Sequence, residues 1–473
     1  DGNVSKYKCR LVARGDRQVE GIDYGQTFSP TVKMGVLRAL FIAAVERGWP
    51  VKHQDVPTAY LNGTIEEEVY SRLPSYWNDL MGDLVTYTED TVAKLVKGDY
   101  GLCQAGRAWF LHITKEFMGT LGHEACNKEP CLFKKDVQAK EGEQEADVPE
   151  SVVHALFVDD DFQTGGSRDL SDELDQFMIT KYGCAKAEDL EYALGIRVER
   201  GKGYISMDQE GYITRLIERY GMKECKPAPT PCQPGFVPPP RDATETEAIT
   251  YPYREAVGSL MYAATCTRPD IMYAVSVASR FLQDPGSAHV NYVKRIIRYL
   301  QGTKELKIRF TDKRERREKN EIVGRPDSSY ADDKVTRRSS WGYNVYLNGN
   351  LTSWKSKLSK PVALSTMEAE LWAICEVLRE LIWIREIYQF ITNEIVGKMV
   401  IETDNRACRD LLINGRISEN VKHVQIRFHF VKSAIASGDL ELRWIPTETN
   451  DGDIHTKGLP KDKHQEFSAK MFG

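Results

Sequence analysis

The sequence lacks the features that would mark a membrane or secreted protein. No apolar run approaches the roughly 20 residues that a membrane-spanning helix needs. No secretory leader opens the chain, which starts Asp1-Gly-Asn-Val rather than with methionine. We therefore expect no association with a membrane, and we interpret the chain as a fragment cut from a longer product.

A regular cysteine pattern and an excess of positive charge are also missing. The ten cysteines follow no repeating spacing, which argues against a disulfide framework and favours a reducing compartment. His123, Cys126 and Cys131 come nearest to a zinc cluster, but a structural role is the interpretation that we favour for them. The net charge of -5 argues against a uniformly basic nucleic-acid binder, although it is compatible with basic residues gathered in one cleft.

The length of 473 residues predicts several domains, and the composition, 41% hydrophobic and 28% charged, is typical of globular proteins. A proline-rich stretch at 227–240 and a charge run at 312–321 are the expected linkers. Periodicity of apolar residues predicts helices over 34–47, 105–121 and 365–391, and strands over 152–157, 342–347, 351–355 and 399–403. This mixture indicates an α+β multi-domain enzyme.

Aspartates occur at the ends of two predicted strands that are about a hundred residues apart. Asp55 ends the first strand, and Asp159, Asp160 and Asp161 follow the second. Side chains alternate across a strand, so adjacent carboxylates on one side require a turn. Two bare carboxylates about 4 Å apart repel by ~4 kcal/mol at an effective dielectric near 20, so a divalent cation would stabilise such a site. For an isolated Asp-Asp pair, an ordinary acidic hairpin turn is the alternative.

Several segments, in this order and across nearly the whole chain, resemble copia-type reverse transcriptases. The matching segments are Lys8-Cys-Arg-Leu-Val-Ala-Arg-Gly15, Gly21-Ile-Asp-Tyr24, Thr27-Phe-Ser-Pro30, Asp55-Val-Pro-Thr-Ala-Tyr-Leu-Asn-Gly63, Tyr100-Gly-Leu-Cys-Gln-Ala-Gly-Arg-Ala-Trp109, Phe157-Val-Asp-Asp160, Leu194-Gly-Ile196 and Thr267-Arg-Pro-Asp270. The resemblance implies a right-hand polymerase followed by a ribonuclease H-like α/β domain. It places fingers and palm in 1–206, thumb and connection in 207–311, and the ribonuclease H-like domain with a C-terminal tail in 312–473.

For the polymerase part, the resemblance implies an RNA-directed and DNA-directed DNA polymerase. It assigns Asp55, Asp159 and Asp160 to the palm as catalytic metal ligands. Asp161 is an additional acid, which we expect to face solvent. Tyr60 stands where the family carries an aromatic gate that would collide with a ribose 2′-hydroxyl; an ordinary core aromatic is the alternative.

The resemblance also implies a nucleotide-binding surface. Tyr100–Trp109 would support the incoming nucleotide and the template, and the basic amino-terminal segment would meet the triphosphate. Gly101 would permit a close backbone approach. The expected nucleotide-binding residues are Tyr60, Lys8, Arg10, Gly101, Gln104 and Arg107. Simple solvation remains the alternative for Lys8 and Arg10. The family usually has proline at the position of Gly106, so the nucleotide affinity of this chain need not match that of the family.

The C-terminal part resembles the ribonuclease H of the same elements. The resemblance assigns catalysis and metal binding there to Asp327, Glu370, Asp404 and Asp453. Ser365 and Glu368 have the spacing of a capping box, which gives Glu368 a structural role and favours Glu370 as the functional carboxylate. Arg325-Pro326 replaces the family's usual tyrosine-serine. Because proline removes an amide hydrogen from the predicted strand, we expect the first catalytic loop, which carries Asp327, to be distorted.

The resemblance further implies cofactors, partners and a location. Two Mg²⁺ ions per active site are expected, with Mn²⁺ as a substitute. Partners would be an RNA template, a DNA primer, an RNA–DNA hybrid, deoxynucleoside triphosphates, and integrase and other parts of a parent polyprotein. The location would be cytoplasmic virus-like particles, with entry into the nucleus alongside the DNA product. A decayed element and a host-recruited nucleic-acid-binding fragment are the alternatives, and the presence of all seven carboxylates favours an enzyme.

Overall fold

The computed structural model describes residues 10–473 apart from 75, 78, 80–87, 89, 139–149, 246–248, 314–317 and 416–421, and it describes 422–424 by their backbone alone. The chain forms two compact units. The first comprises Asp1–Lys33 and Pro50–Asp189, and the second comprises Met34–Trp49 and Leu190–Gly473. None of the helices in the described part of the chain combines the length and apolar character needed to cross a bilayer.

Strands and helices occur in both units, so the predicted mixed α and β architecture is confirmed. The strands are β1 Val51–Asp55, β2 Thr64–Arg72, β3 Val92–Lys97, β4 Glu124–Cys126, β5 Glu129–Asp136, β6 Ser151–Phe157, β7 Asp160–Gly165, β8 Glu188–Asp189, β9 Tyr192–Ala193, β10 Ile196–Gly201, β11 Tyr204–Asp208, β12 Ile308–Thr311, β13 Ile322–Ser329, β14 Ser340–Leu347, β15 Asn350–Leu358, β16 Met399–Thr403 and β17 Leu440–Trp444.

Most of the helices belong to the second unit. The α-helices are α1 Met34–Arg47, α2 Ala105–Gly119, α3 Arg168–Tyr182, α4 Glu210–Arg219, α5 Tyr253–Cys266, α6 Met272–Ala278, α7 Ser287–Gln301, α8 Thr366–Thr392, α9 Arg406–Asn414, α10 Lys422–Ala436 and α11 Lys461–Phe472. Short 3-10 helices span Gly15–Arg17, Ala59–Asn62, Pro269–Ile271, Ser279–Phe281, Thr447–Thr449 and Asp451–His455. The predicted division into polymerase subdomains, with bounds at 206/207 and 311/312, stays a prediction.

The first unit is built on an antiparallel sheet with strand order β4-β5-β6-β7-β1-β8, and β2 and β3 form a separate hairpin. Helices α2 and α3 pack against this sheet. Their apolar residues recur at helical spacing, Ile113 and Phe117 on α2 and Leu174 and Met178 on α3. These side chains meet Leu156 of β6 in one buried core. The core holds β6 and the hairpin turn that follows it in a fixed position.

The second unit contains two sheets. One has the strand order β15-β14-β13-β16-β17, in which β16 runs parallel to both β13 and β17. The other has the order β12-β11-β10-β9. Helix α8 packs on the five-stranded sheet and against α1. Every residue from Gly35 to Ala44 of α1 is buried, and the stretch is apolar on all sides except at Arg38, whose guanidinium donates to the carbonyls of Thr352 and Cys266.

The Thr267-Arg-Pro-Asp270 segment is fully buried in the second unit. Arg268 and Asp270 form a bidentate ion pair with N–O distances of 2.9 and 2.6 Å. The hydroxyl of Tyr299 on α7 donates to Asp270 at 2.7 Å, and His464 on α11 lies 3.1 Å from the Asp270 carbonyl oxygen. The segment therefore links α7 and the C-terminal helix through one satisfied polar network.

Replacing Arg268 with leucine should destabilise the second unit strongly. The substitution leaves the carboxylate of Asp270 buried without its cation, and breaking such a pair typically costs about 3–5 kcal/mol. Denaturant unfolding followed by circular dichroism measures the change. The matched control is Arg219→Leu, which removes an ion pair with Glu255 that is largely exposed and should cost under ~1 kcal/mol. Equal losses in the two variants would contradict the expectation.

Candidate active sites

A tight turn between β6 and β7 carries two of the predicted site residues, Asp159 and Asp160. Val158 has φ 59°, a left-handed conformation that is strained for a β-branched residue. Two hydrogen bonds stabilise the turn. The indole of Trp109 donates to the Val158 carbonyl at 2.6 Å, and the amide of Val56 donates to the Asp159 carbonyl at 2.7 Å. The predicted turn is therefore present, and it is attached to both α2 and the end of β1.

Asp55, Asp159 and Asp160, the first carboxylate cluster, lie together at this turn. Asp55 on β1 is the register partner of Asp160 on β7. Residues opposite each other in an antiparallel pair share a face, with Cβ atoms about 5 Å apart. Burial raises the pKa of Asp159, and the negative charges of Asp160 and Asp55 raise it further, while Arg10 opposes them. The structure thus brings all three predicted carboxylates close enough to interact.

Two tyrosines and one arginine border the first carboxylate cluster. The ring centroids of Tyr60 and Tyr100 are 5.1 Å apart, and the Arg10 guanidinium lies 5.1 Å from the centroid of Tyr100. Burial raises the pKa of the half-buried Tyr60, and the charge of Asp159 adds to this effect. Tyr60 and Arg10 therefore lie near the carboxylates. Because Tyr60 also packs against two apolar clusters, its core and gate roles are compatible.

Gln104 and Gly101 contact the amino-terminal segment of the first unit. The buried Gln104 side chain donates to the Asp23 carbonyl at 2.9 Å and accepts from Gln18 at 3.1 Å. Gly101 has φ 91°, and a Cβ atom there would lie 2.2 Å from the Ala13 carbonyl oxygen. The close backbone approach expected at Gly101 is present, and its partner is the chain itself. Both residues hold the segment that carries Arg10.

Arg107 is more accessible than Gln104. Its guanidinium donates to the Phe28 carbonyl at 3.2 Å and lines a groove of about 520 Å³ together with His112 and Lys115. Glu66 and Glu67 line the same groove, so Arg107 lies there among side chains of both charges. Lys8, the remaining predicted nucleotide contact, lies outside the described residues.

The expectation that Asp161 faces solvent is wrong. Asp161 is fully buried, and its carboxylate lies 2.8 Å from Nδ1 of His154, whose Nε2 lies 2.9 Å from Nδ1 of His123. Burial lowers the pKa of His123 to about 2, so this ring is neutral. His123 thus belongs to a buried hydrogen-bond chain. Its neighbours Cys126 and Cys131 are buried and form no disulfide with any described cysteine, in keeping with the structural role favoured for this trio.

The second carboxylate cluster lies at the C-terminal ends of the parallel strands β13 and β16. It consists of Asp327, Glu370, Asp404 and Asp453. Asp327 lies in β13, Asp404 directly follows the parallel neighbour β16, Asp453 lies in the 3-10 helix Asp451–His455, and Glu370 lies near the start of α8. Burial raises the pKa of Glu370 well above its usual value, and the charges of Asp327 and Asp404 add to this rise. Burial and the charge of Asp327 raise the pKa of Asp453 to about 7.

The second carboxylate cluster has oxygen atoms suited to a hard cation. Glu370 accepts a hydrogen bond from Ser328 at 2.9 Å through Oε1, while its buried Oε2 has no hydrogen-bond partner among the described residues. The ammonium of Lys457 lies 2.9 Å from Asp453. No three potential ligand side chains in the described ranges converge tightly enough to enclose a metal ion. Magnesium, however, keeps several waters and substrate oxygens, so one or two protein carboxylates per ion suffice.

Two structural expectations near this cluster have different outcomes. The capping role of Glu368 is confirmed, since its amide donates to the Ser365 hydroxyl at 3.2 Å and its carboxylate accepts from the Leu364 amide at 2.7 Å. The expected distortion at Pro326 is wrong. Strand β13 runs unbroken through Pro326, which lies beyond Gly324, the last residue of β13 paired with β16. A proline is tolerated where the strand needs no further ladder bond.

Comparison with known proteins identifies the family. Residues 1–234 match the family model described as reverse transcriptase (RNA-dependent DNA polymerase). The Retrovirus-related Pol polyprotein from transposon TNT 1-94 of Nicotiana tabacum is 33% identical over 472 residues, which cover 98% of this chain and 34% of the relative. The corresponding polyprotein from transposon RE1 of Arabidopsis thaliana is 34% identical over 474 residues, covering 100% and 31%. The chain belongs to the reverse transcriptase family of Ty1/copia-type transposon Pol polyproteins.

The resemblance inferred from the sequence motifs is thereby confirmed. This reverse transcriptase-family chain spans about a third of the length of these curated relatives. Among solved structures, the foamy viral protease-reverse transcriptase in complex with double-stranded DNA matches with a TM-score of 0.46 and 10% identity, covering 89% of this chain and 61% of that chain. That likeness is too loose to support a conclusion about this chain.

Sequence reasoning missed three residues that support the carboxylates of this chain. Trp109 stabilises the Val158–Asp159 turn, and the sequence indicated this residue only by its position at the end of the matching segment that begins at Tyr100. His53 places Nε2 2.6 Å from the carboxylate of Asp160, and its position two residues before Asp55, on the same strand face, could have indicated this. Lys457 follows Asp453 by four residues and pairs with it.

Proposed function

We propose that the chain is an RNA-directed and DNA-directed DNA polymerase with a separate ribonuclease H activity, which copies retrotransposon RNA and degrades the RNA of the resulting hybrid. The observation that carries the proposal is the register pairing of Asp55 with Asp160 beside the Asp159 turn. Membership of the reverse transcriptase family supports the polymerase assignment. The substrates would be an RNA or DNA template, a DNA primer and deoxynucleoside triphosphates.

In the polymerase, Asp55, Asp159 and Asp160 would hold two Mg²⁺ ions, with Mn²⁺ as a substitute. When bound, the ions would activate the primer 3′-hydroxyl and stabilise the leaving pyrophosphate. The residues of the chain supply position and charge. The constrained turn fixes the position of Asp159. Arg10 lies near enough to Asp159 to lower the pKa of its carboxyl group, and its guanidinium would also bind the triphosphate. Tyr60, beside Asp159, would form the wall against the sugar of the incoming nucleotide.

In the ribonuclease H, Asp327, Glu370, Asp404 and Asp453 would hold Mg²⁺, which when bound would activate water toward the RNA phosphate. The unpartnered Oε2 of Glu370 supports this assignment, since a buried carboxylate oxygen without a donor is costly unless a cation accompanies it. Only the RNA strand would be cut, because its 2′-hydroxyl and the A-like shape of the hybrid distinguish it from DNA.

Primer extension on poly(rA) with oligo(dT) and Mg²⁺ tests the first activity, and cleavage of a labelled RNA–DNA hybrid tests the second. We expect both activities in the folded chain. Failure of both in Mg²⁺ and in Mn²⁺ would support a decayed or host-recruited fragment that binds nucleic acid without catalysis. The wider setting that we propose is a parent polyprotein that also supplies integrase, in cytoplasmic virus-like particles, with the DNA product entering the nucleus.

Replacing Tyr60 with valine should increase ribonucleotide incorporation. The substitution removes the ring beside Asp159 that would collide with a 2′-hydroxyl. One steric clash of this kind is worth ~1–3 kcal/mol, so discrimination against ribonucleotides should fall by about 10–100-fold. Single-nucleotide extension with dTTP and with UTP gives the ratio. Tyr60→Phe is the matched control, because it keeps the ring and should keep the sugar preference. An unchanged ratio in Tyr60→Val refutes the gate.

A further inference from the structure

A groove of about 600 Å³ opens beside Asp404, at the C-terminal ends of β16 and β17. Thr403 and Trp444 are register partners at these ends. Trp444 is 38% exposed, although it is a large aromatic residue, and its indole N–H donates to the Asp404 carbonyl oxygen at 3.2 Å. One wall of the groove is therefore attached to the backbone of a member of the second carboxylate cluster.

Three arginines and three acidic residues line this groove, but only two of the arginines form ion pairs with acids of the lining. Each acid has a cationic partner. The ion pairs are Arg325–Glu402, Arg409–Asp410 and Arg443–Glu441, with N–O distances of 2.9, 2.8 and 2.7 Å. Because Arg325 comes from outside the lining, one lining arginine remains. It is Arg406, which no acidic side chain pairs with in the part of the chain that the structure describes.

The guanidinium of Arg406 is nevertheless held in position. Its central carbon lies 3.8 Å from the centroid of the Trp444 ring, a stacking distance. Stacking uses the face of the guanidinium and leaves its N–H edge for planar, bidentate recognition of a phosphate. Arg406 is exposed and follows Asp404 by two residues, at the start of α9. An oriented cation with unused donors thus lies next to the second carboxylate cluster.

We infer that Arg406, stacked on Trp444, binds a phosphodiester of the RNA strand next to the bond that is cut at the second carboxylate cluster. The inference rests on the proposed ribonuclease H function and adds a strand-positioning site to it. A strand whose phosphate reaches Asp404 continues past the residues beside Asp404, and phosphate contacts of this kind fix the register of a nucleic acid. Arginine and aromatic side chains that share one surface are found in nucleic-acid-binding grooves.

Arg406→Ala in the full chain tests the site. Loss of one charge-assisted phosphate contact should slow single-turnover hybrid cleavage by about tenfold or more, while primer extension by the same protein stays unchanged. Arg406→Lys keeps the charge but loses the planar stack, so it should fall between wild type and Arg406→Ala. The matched control is Arg409→Ala, which removes the same charge from the same helix and groove. Equal effects of Arg406→Ala and Arg409→Ala overturn the inference.

Binding gives a readout that does not need catalysis. Fluorescence anisotropy of a labelled hybrid, measured in EDTA over a range of NaCl concentrations, yields the salt slope of the association constant. Removing one phosphate contact should reduce the magnitude of this slope by about 1 in Arg406→Ala and leave it unchanged in Arg409→Ala. If wild type binds but never cuts the hybrid, the proposed ribonuclease H fails, while the slope still decides the phosphate contact.

The strand can be identified with hybrids in which one phosphate is replaced by a neutral methylphosphonate. A neutral linkage at the contacted phosphate should weaken binding by wild type but not by Arg406→Ala, because the variant has already lost that contact. We expect wild type, but not Arg406→Ala, to bind more weakly when the neutral linkage lies in the RNA strand next to the scissile phosphate. If only DNA-strand positions behave in this way, or if none do, the inference is wrong.

Discussion

Asp159→Asn should abolish DNA synthesis while hybrid cleavage continues. Asparagine keeps the shape of the side chain but removes the charge that Asp159 contributes beside Asp55 and Asp160. Metal-assisted stabilisation of transition-state charge is worth several kcal/mol, so a loss of ~4 kcal/mol would slow synthesis about 10³-fold. Primer extension and hybrid cleavage, measured on the same preparation, separate the two activities.

The matched control for this variant is Asp189→Asn. Asp189 is an exposed acid on β8, in the same sheet, and its register partner is Lys52 rather than a member of the first carboxylate cluster. It should retain full synthesis. If Asp159→Asn still extends primers at the wild-type rate, the polymerase assignment fails. If it loses both activities while folded, the division into two independent sites fails.

Local sequence patterns predicted several elements accurately. Helix α1 and strand β16 have the predicted bounds, because a mainly apolar segment forms the body of each of them. The other predicted elements differ at their ends by a few residues. Helix α2, for example, ends at Gly119 rather than at 121, since helix ends depend on capping contacts more than on periodicity.

Long-range contacts were harder to predict. The burial of Asp161 depends on His154, which pairs with it from the neighbouring strand, and a linear pattern does not reveal such a partner. The same holds for α1, which interrupts the first unit in sequence but belongs to the second. Gln104 illustrates a related gap, since the sequence suggested a ligand contact and the fold gives it partners in its own chain.

The first carboxylate cluster was predicted from acids at the ends of two strands together with the family resemblance, which assigned all three to one site. The second needed a choice between two acids on one helix, and the spacing from Ser365 supplied it by giving Glu368 a capping role. The Arg406–Trp444 stack was not predictable, since the two residues are separated by most of α9, α10 and β17 in the chain. Surface sites of this kind emerge only once parallel strands bring their ends together.

Glu370→Gln should abolish hybrid cleavage and leave DNA synthesis intact. The loss of one carboxylate from the second carboxylate cluster should slow cleavage by about 10³-fold, on the same reasoning of several kcal/mol for charge stabilisation. Hybrid cleavage and primer extension by one preparation measure both rates. Glu368→Gln is the matched control two residues away, because its side chain caps the helix and should not affect cleavage.

The two glutamine variants should also change stability in opposite directions in EDTA. Burial and the charges of Asp327 and Asp404 raise the pKa of Glu370, so its ionised form destabilises the fold at neutral pH. This destabilisation is absent below the ordinary glutamate pKa of about 4.3 and grows as the pH rises above it. Glu370→Gln should therefore melt at a higher temperature at pH 7 and lose that advantage at low pH.

Glu368→Gln, in contrast, keeps an oxygen that can accept from the Leu364 amide and loses only the negative charge near the start of α8, so it should lower stability by ~0.3–1 kcal/mol. The response of the melting temperature to Mg²⁺ gives a second way to distinguish the two variants. A cation that binds only the folded state raises the melting temperature according to its affinity, so Mg²⁺ should stabilise wild type and Glu368→Gln more than Glu370→Gln. If Glu370→Gln cleaves normally, or if it responds to Mg²⁺ as wild type does, then Glu370 is not a metal ligand and its burial beside Asp327 and Asp404 must have another cause.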